Sequence, residues 1–310
     1  MIKGIINSVS PLTLGTVQLG MVYGIANGQG KPDMQVGHQI LKRAIELGVS
    51  TWDTSRHYGV SEEVIGDFLN TDNSCRPCII SKFKWSALAL RNEKLAGQEA
   101  FAQVRRSLEV LGQESLPLLL YHTDKDQTIA DVMKILPKVL KSLREEGLIK
   151  KGGISLYYPQ DATAILDELE IMATQLPINV LDQRLLANDT MQKLADAEKL
   201  VFARSVFLQG LFFLTKDKLP PVLKEASCYI DELKKLADQA EMSVAQFAFS
   251  YVRDTKGVSS VVFGADTVEQ VEQNVQLFEG KPIPEEISEK AQEVFANVAE
   301  KIITPGLWKT

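Results

Sequence analysis

The sequence predicts an α/β fold of the (β/α)8 TIM barrel type, and three observations lead to it. Short apolar runs alternate eight times with amphipathic helical stretches along the 310 residues. Alternation of this kind predicts a parallel sheet buried on both faces, and eight units in about 300 residues are typical of this barrel. No composition break or Pro/Ser-rich linker divides the chain, so residues 1–310 are expected to form one domain.

Apolar runs bounded by polar or turn residues mark the predicted strands. In chain order they are Leu12–Val17, Val49–Trp52, Cys78–Ser81, Leu116–Tyr121, Gly152–Ser155, Met172–Leu176, Leu200–Ala203 and Val258–Phe263. Apolar residues at helical spacing predict the helices between and after them. These are Met34–Leu47, Glu62–Leu69, Glu99–Leu111, Ile129–Glu146, Gln160–Leu169, Met191–Ala197, Cys228–Gln239, Val244–Arg253, Thr267–Phe278 and Glu285–Lys301.

Composition and charge exclude several classes of protein. The net charge is −6 and no long Lys/Arg run is present, which argues against nucleic acid as the main partner. No stretch approaches the ~20 apolar residues of a membrane helix. The apolar run among the first residues is too short for a signal-peptide core. Three cysteines are too few for a disulfide scaffold. We therefore expect a cytoplasmic protein without a membrane partner.

An open doubly wound sheet is the main rival to the barrel. Its dinucleotide fingerprint, GxGxxG after the first strand, is missing, because Gly28-Gln29-Gly30 is followed by Lys31, Pro32 and Asp33. A Walker-type lysine loop is also missing from the sequence. These two absences argue against the open doubly wound sheet.

Titratable residues follow three consecutive predicted strands, where a barrel of this type has its active site. Asp53 follows the second strand with Tyr58 in the same loop, Lys82 follows the third, and His122 follows the fourth. Each of these residues alone is commonly a turn residue, a solvated side chain or a structural group. Their convergence at one rim favours a catalytic site. A lysine ammonium held by a carboxylate would stabilise a tyrosine phenolate, and a histidine would orient a carbonyl oxygen.

This set is suited to moving one proton to or from an oxygen atom. It contains no serine or cysteine nucleophile paired with a base, and no carboxylate pair of the glycosidase type. Three histidines and no HExxH motif make a metal site unexpected.

The same residues carry a resemblance to the aldo-keto reductase family. The matching motifs, in order, are Asp53–Gly59 with Ser61–Gly66, Lys82, His122, Gly153–Ser155, Gln183, Arg204–Leu211, and Gly264–Asp266 with Gln270 and Asn274. They extend from about Leu14 to Asn274. The resemblance implies an oxidoreductase that interconverts an aldehyde or ketone, sugars among them, and its alcohol.

The resemblance also implies NAD or NADP as the cofactor and a small molecule as the substrate. Asp53, Tyr58, Lys82 and His122 would form a catalytic tetrad, with Tyr58 as general acid and base. A β-hairpin comprising Ile2–Ile6 and part of Ser10–Leu14 would close the bottom of the barrel. The implied cofactor-binding residues are Gly15, Thr16, Asp53, Ser155, Gln183, Arg204, Ser205, Phe207, Gln209, Gly210, Gly264, Asp266, Gln270 and Asn274.

Within that set, Ser155 and Gln183 would meet the nicotinamide carboxamide. The loop from Ser205 to Gly210 would wrap the pyrophosphate, and Gln270 and Asn274 would face the adenosine.

The chain departs from the family pattern in three places. Leu156 stands where the family often has Asn, and Arg204 stands where an aromatic residue commonly stacks on the nicotinamide. Asp266 stands where an arginine commonly follows, and a carboxylate there would repel the 2′-phosphate of NADPH, which predicts a preference for NADH. Two other classes stay open: a non-catalytic nicotinamide-sensing subunit on the same barrel, and a barrel lyase or isomerase.

Overall fold

Eight parallel strands close into a barrel in which each strand pairs with the next along the chain and the last pairs with the first. The computed structural model describes residues 9–28, 30–72 and 76–308. The strands β1–β8 are Leu12–Gly15, Thr51–Asp53, Cys78–Phe83, Leu116–His122, Ile149–Ser155, Ile171–Pro177, Leu200–Arg204 and Ser260–Gly264. The predicted fold class is confirmed.

Helices connect the strands and cover the outside of the barrel. Among the described residues, α1–α11 are Val17–Gly20, Met34–Glu46, Ser61–Thr71, Glu93–Leu111, Ile129–Glu145, Thr190–Asp196, Ala226–Gln239, Val244–Arg253, Val268–Glu279, Glu285–Val294 and Glu300–Ile303. Several begin at a polar residue whose side chain accepts a hydrogen bond from the first turn, as Asn92 does from Leu95 N of α4. None of the helices described here is long and apolar enough to cross a membrane.

Two predicted helices differ from the observed ones. The segment predicted as a helix over Gln160–Leu169 is a 3₁₀ helix, Pro159–Ile165, and Leu169 is 83% exposed. Its few buried apolar positions do not support a longer amphipathic helix. The last predicted helix, Glu285–Lys301, is divided into α10 and α11. The break lies between them, where Ala299 has a non-helical backbone with φ −59° and ψ 135°.

The predicted bottom hairpin stays a prediction. Ile2–Ile6 lies outside the described residues. Leu12–Leu14 belongs to β1, where Leu12 pairs with Val261 of β8 and Leu14 pairs with Trp52 of β2. These residues are therefore a wall of the barrel, as the predicted first strand implies.

The barrel interior is filled by a separate layer of apolar side chains from alternate strand positions. This layer comprises Ile80, Leu118, Leu120, Ala173 and Phe202. Because side chains in a strand alternate between faces, the residue two positions further along each strand points to the same interior, nearer its carboxyl end. Those residues are Lys82, Leu120, His122, Gln175 and Arg204. The strand period thus brings polar groups from distant parts of the sequence to one rim.

Candidate active site

A buried lysine links a carboxylate to a tyrosine at this rim. Lys82 Nζ donates to Asp53 Oδ1 at 2.6 Å and to the Thr54 carbonyl at 3.0 Å, and lies 3.2 Å from the Tyr58 hydroxyl. The side chains of Lys82 and Asp53 are 0% and 5% exposed. Tyr58 is half-buried and faces the mouth of the barrel. Three of the four residues predicted as a tetrad therefore form one connected group.

The loop that carries Tyr58 is fixed from both sides. A Cβ atom on Gly20 would lie 1.6 Å from the Tyr58 carbonyl, so only glycine allows the β1 loop to approach this closely. On the other side, Arg56 forms ion pairs with Glu62 and Glu63. Glu62 is buried and also accepts a hydrogen bond from Ser81, the residue before Lys82. These contacts tie the tyrosine loop to the strand that supplies the lysine.

His122 lies beside this group on β4. Its ring is perpendicular to that of Tyr58, with 6.4 Å between the ring centroids. Burial and the nearby Lys82 charge hold the pKa of His122 well below its usual range, so the ring is neutral at physiological pH. A neutral imidazole donates from one nitrogen only, and the buried Nδ1 atom has no hydrogen-bond partner among the described residues.

Burial also shifts the ionisation of the other two groups. Burial and the Asp53 charge raise the pKa of Tyr58 well above its ordinary value, while Arg204 acts in the opposite direction. Burial lowers the pKa of Lys82, and the Asp53 carboxylate opposes that shift. Tyr58 is consequently protonated through the neutral range, which is the state required of a proton donor.

A cleft of about 380 Å³ extends from this group across the barrel mouth toward β8. It is lined by many of the residues predicted from the sequence. These are Gly15, Asp53, Tyr58, Arg204, Ser205, Phe207, Gln209, Gly210, Gly264, Asp266, Gln270 and Asn274. Ser155 is buried directly beneath, where its hydroxyl donates to Gln175 Oε1 at 3.2 Å. Most of the predicted residues therefore surround one space.

Gln183 does not belong to this set, and its predicted contact with the nicotinamide carboxamide is wrong. Its side-chain amide is buried away from the cleft and donates to the carbonyls of Val180 and Ala291. Gln175, which the sequence reasoning missed, occupies the expected place. It pairs with Ser155 across β5 and β6, and its Nε2 donates to Asp53 Oδ1 at 2.9 Å. The available signal was an amide side chain inside the largely apolar run of β6, next to Thr174.

Thr16, also predicted to bind the cofactor, lies beneath the cleft in this structure. It is fully buried, its hydroxyl bonds to the Asp53 carbonyl and to Ser61, and it is not among the described residues that line the cleft. Its place beneath the Tyr58 loop is that of a structural residue.

The first βα loop reaches over the cleft to the loop after β7. Tyr23 Oη accepts a hydrogen bond from Gln209 Nε2 at 3.1 Å, and Ile25 N donates to the Gln209 carbonyl. Further along, Asn27 Nδ2 donates to Asp266 Oδ1 at 3.3 Å. The backbone of the second loop is unusual, because Ser205, Leu208 and Gln209 all have positive φ angles. Strain of this type is concentrated at binding and catalytic sites.

The residues present fit a dinucleotide. Three buried polar atoms on the cleft walls have no hydrogen-bond partner among the described residues: Gln18 Oε1, Arg204 Nε and Asn274 Oδ1. A buried polar atom without a partner is costly, so each is suited to a bound polar group. They are spread along the cleft from the tyrosine to the β8 end, as an extended ligand requires.

The fold and this site define a barrel oxidoreductase, and the comparisons with known proteins agree. The sequence profile of the Aldo/keto reductase family matches residues 11–294. The chain therefore belongs to the aldo/keto reductase family, as its motifs predicted, and is an NAD(P)-dependent oxidoreductase of carbonyl and alcohol groups.

Similar proteins include several oxidoreductases. An uncharacterized oxidoreductase of Bacillus subtilis is 26% identical over 270 residues, which cover 80% of this chain and 83% of that protein. D-arabinose 1-dehydrogenase of Saccharomyces cerevisiae is 24% identical over 287 residues, which cover 88% and 84%. The holo form of an aldo-keto reductase from Bacillus halodurans has a TM-score of 0.72 at 22% identity and covers 95% of both chains. This last similarity shows the fold.

Proposed function

We propose that this protein reduces an aldehyde or ketone, and oxidises the corresponding alcohol, with Tyr58 as the group that exchanges the proton. The observation that carries the proposal is the position of Lys82 Nζ, within hydrogen-bond distance of both Asp53 Oδ1 and the Tyr58 hydroxyl. A positive charge at that place stabilises the phenolate that forms when Tyr58 gives its proton to the carbonyl oxygen. Sugars are among the substrates we expect, as the name of the yeast relative suggests.

His122 acts as a positioning group for the carbonyl oxygen. Since its ring is neutral, it offers a hydrogen bond without competing with Tyr58 as the proton donor. The nicotinamide cofactor, when bound, supplies the hydride. We assign its carboxamide to Ser155 and Gln175 and its diphosphate to the loop from Ser205 to Gly210. Its adenosine is assigned to Asp266, Gln270 and Asn274.

We infer a preference for NADH over NADPH. Among the described residues that line the cleft, Arg204 is the one basic side chain, and it lies at the catalytic end. The far end holds Asp266, whose carboxylate would repel a 2′-phosphate and would accept hydrogen bonds from ribose hydroxyls. Lys216 and Lys218, the other cations near this loop in the sequence, are not on the cleft walls.

The test is turnover by wild type and Tyr58→Phe with a panel of aldehydes, ketones and sugars, followed at the absorbance of the reduced nicotinamide. We expect the variant to lose about 10²–10⁴-fold in kcat, which is the range for removal of a general acid. Binding of NADH, measured by quenching of tryptophan fluorescence, should be nearly unchanged because the ring is retained. A variant with more than about a tenth of wild-type kcat would contradict the role of Tyr58.

Cofactor binding without turnover of any carbonyl or alcohol would instead favour a nicotinamide-sensing subunit. The single-domain organisation over residues 1–310 and a cytoplasmic location are further parts of the proposal. A single cooperative unfolding transition and cell fractionation would test them.

A further inference from the structure

Arg204 is a cation at the catalytic end of the cleft without a carboxylate partner. Its Nη2 donates to the Leu156 carbonyl at 3.1 Å and its Nη1 to Ser205 Oγ at 3.3 Å, which are both neutral acceptors. Its Nε atom is buried and has no partner within the described part of the chain. The guanidinium therefore has unused donors where the chemistry takes place.

Four other cations at this rim are neutralised by carboxylates. The pairs are Lys82 with Asp53, Lys84 with Asp124, Arg56 with Glu62 and Glu63, and Arg184 with Asp182 and Glu300. None of the ion pairs found among the described residues includes Arg204. Within the described part of the chain, no carboxylate neutralises Arg204. Its charge lowers the pKa of both Tyr58 and His122, although burial is the largest influence on each of these pKa values.

An unpaired, partly buried charge is unfavourable unless a ligand compensates it. A guanidinium is the side chain whose planar donors best match a carboxylate or phosphate. The diphosphate of the cofactor is one anion, but the loop after β7 is assigned to it. Arg204 instead lies at the carboxyl end of β7 and, like Tyr58 and Asp53, lines the cleft. A second anion close to the reacting carbonyl is the remaining source of negative charge.

We propose that Arg204 binds an anionic group, a carboxylate or a phosphate, on the carbonyl substrate. The site would then select acidic aldehydes or ketones, such as a sugar phosphate, over neutral ones of the same shape. This proposal rests on the proposed carbonyl chemistry and adds the class of substrate.

The experiment compares matched substrates that differ in one charge. 4-Carboxybenzaldehyde is paired with its neutral methyl ester, and glyceraldehyde 3-phosphate with glyceraldehyde. The readout is the ratio of kcat/KM for the charged over the neutral member. Since both members react with the same enzyme–cofactor complex, any effect of a substitution on cofactor binding cancels in this ratio.

We expect wild type to favour the charged member of at least one pair, and Arg204→Met to lower that ratio by about 10–100-fold, the effect of losing a charged hydrogen bond. Arg204→Lys keeps the positive charge but loses the planar pair of donors of the guanidinium. Its ratio should therefore lie between those of wild type and Arg204→Met. Lys84→Met is the matched control. Lys84 is also a rim cation near His122, but Asp124 already neutralises it, so the ratio should change by less than about threefold.

A wild type that turns over both members without preference, or an Arg204→Met ratio equal to wild type, overturns this proposal and leaves the carbonyl chemistry standing. An equal fall in kcat/KM for both members in Arg204→Met, together with weaker NADH binding in a fluorescence titration, would assign Arg204 to the cofactor instead. This result also overturns the proposal. A similar fall in Lys84→Met would assign the selectivity to the general field of the rim. No turnover of any carbonyl by wild type is the distinct result that rejects the proposed function itself.

Discussion

Replacement of Lys82 by methionine should lower both the stability and the activity of this protein, for separable reasons. Lys82 donates to Asp53, Thr54 and Tyr58, and it is fully buried. Removal of one partner of a buried ion pair costs about 3–5 kcal/mol of unfolding free energy, because the other charge stays buried. Gln175 still donates to Asp53 at 2.9 Å, so we expect a loss near the lower end, about 3 kcal/mol.

The double variant Asp53→Asn/Lys82→Met separates the two effects. It removes both charges, so it should regain about 1–3 kcal/mol relative to the lysine variant alone. Its kcat should stay about 10²–10⁴-fold below wild type, because no positive charge stabilises the Tyr58 phenolate. Unfolding in urea, followed by the fluorescence of the buried Trp52 and Trp85, gives the stabilities.

Lys199→Met is the control for loss of any buried lysine. Lys199 Nζ donates to the carbonyls of Glu168 and Ile171 at the amino-terminal end of β7, far along the strand from Arg204. This variant should be less stable than wild type but keep its kcat. A Lys82→Met protein as stable as wild type, or a double variant no more stable than the single one, would refute the charge-pair argument. A kcat above about a tenth of wild type in Lys82→Met would refute the shared proton network.

Three further predictions follow from the same site. Because burial and Asp53 raise the pKa of Tyr58, the kcat of carbonyl reduction should be constant from about pH 6 to about pH 9. The kcat of alcohol oxidation, which needs the phenolate, should rise by up to about tenfold per pH unit. An inflection near pH 6.5 in the reduction profile would contradict this prediction. Asp266→Arg should shift the ratio of kcat/KM for NADH over NADPH toward NADPH by about tenfold or more, and an unchanged ratio would show that this position does not face the ribose. Gln175→Leu should weaken NADH binding by about tenfold in a fluorescence titration, whereas Gln183→Leu, which loses contacts only with Val180 and Ala291, should bind NADH as wild type does.

Local signals in the sequence predicted the barrel and its catalytic rim. Most strands coincide with apolar runs, and Asp53, Lys82 and His122 come at or near the end of such a run. Their place in the fold therefore follows from their place along the chain. Tyr58 follows Asp53 by five positions in the loop, and Gly59 directly after it is visible in the sequence as a turn residue. Period and spacing therefore predicted which residues meet at the rim, and the family resemblance implied that they act together.

The tertiary structure was needed wherever the answer depends on which face of a strand a residue occupies. In a strand buried on both faces, apolar residues occupy inward and outward positions alike. The sequence therefore does not show which residues of the strand point to the barrel interior. Gln175 and Gln183 are both glutamines close to the end of β6, and only the pairing of Ser155 with Gln175 shows which one faces the interior. The predicted helices that proved shorter or divided failed for a related reason, because burial against the barrel decided their ends.

What the sequence alone determined is the alternation of strands and helices and the residues at the strand ends, since both depend on periodicity within a few residues. What only the tertiary structure decided is which distant groups compensate one another. Asn27 contacts Asp266 and Tyr23 contacts Gln209 across the cleft, although more than half of the chain separates each pair. Arg204 is distinguished from the paired cations around it only by the absence of a carboxylate within reach among the described residues. The electrostatic energy of these groups depends on distances in space, and a linear sequence does not contain those distances.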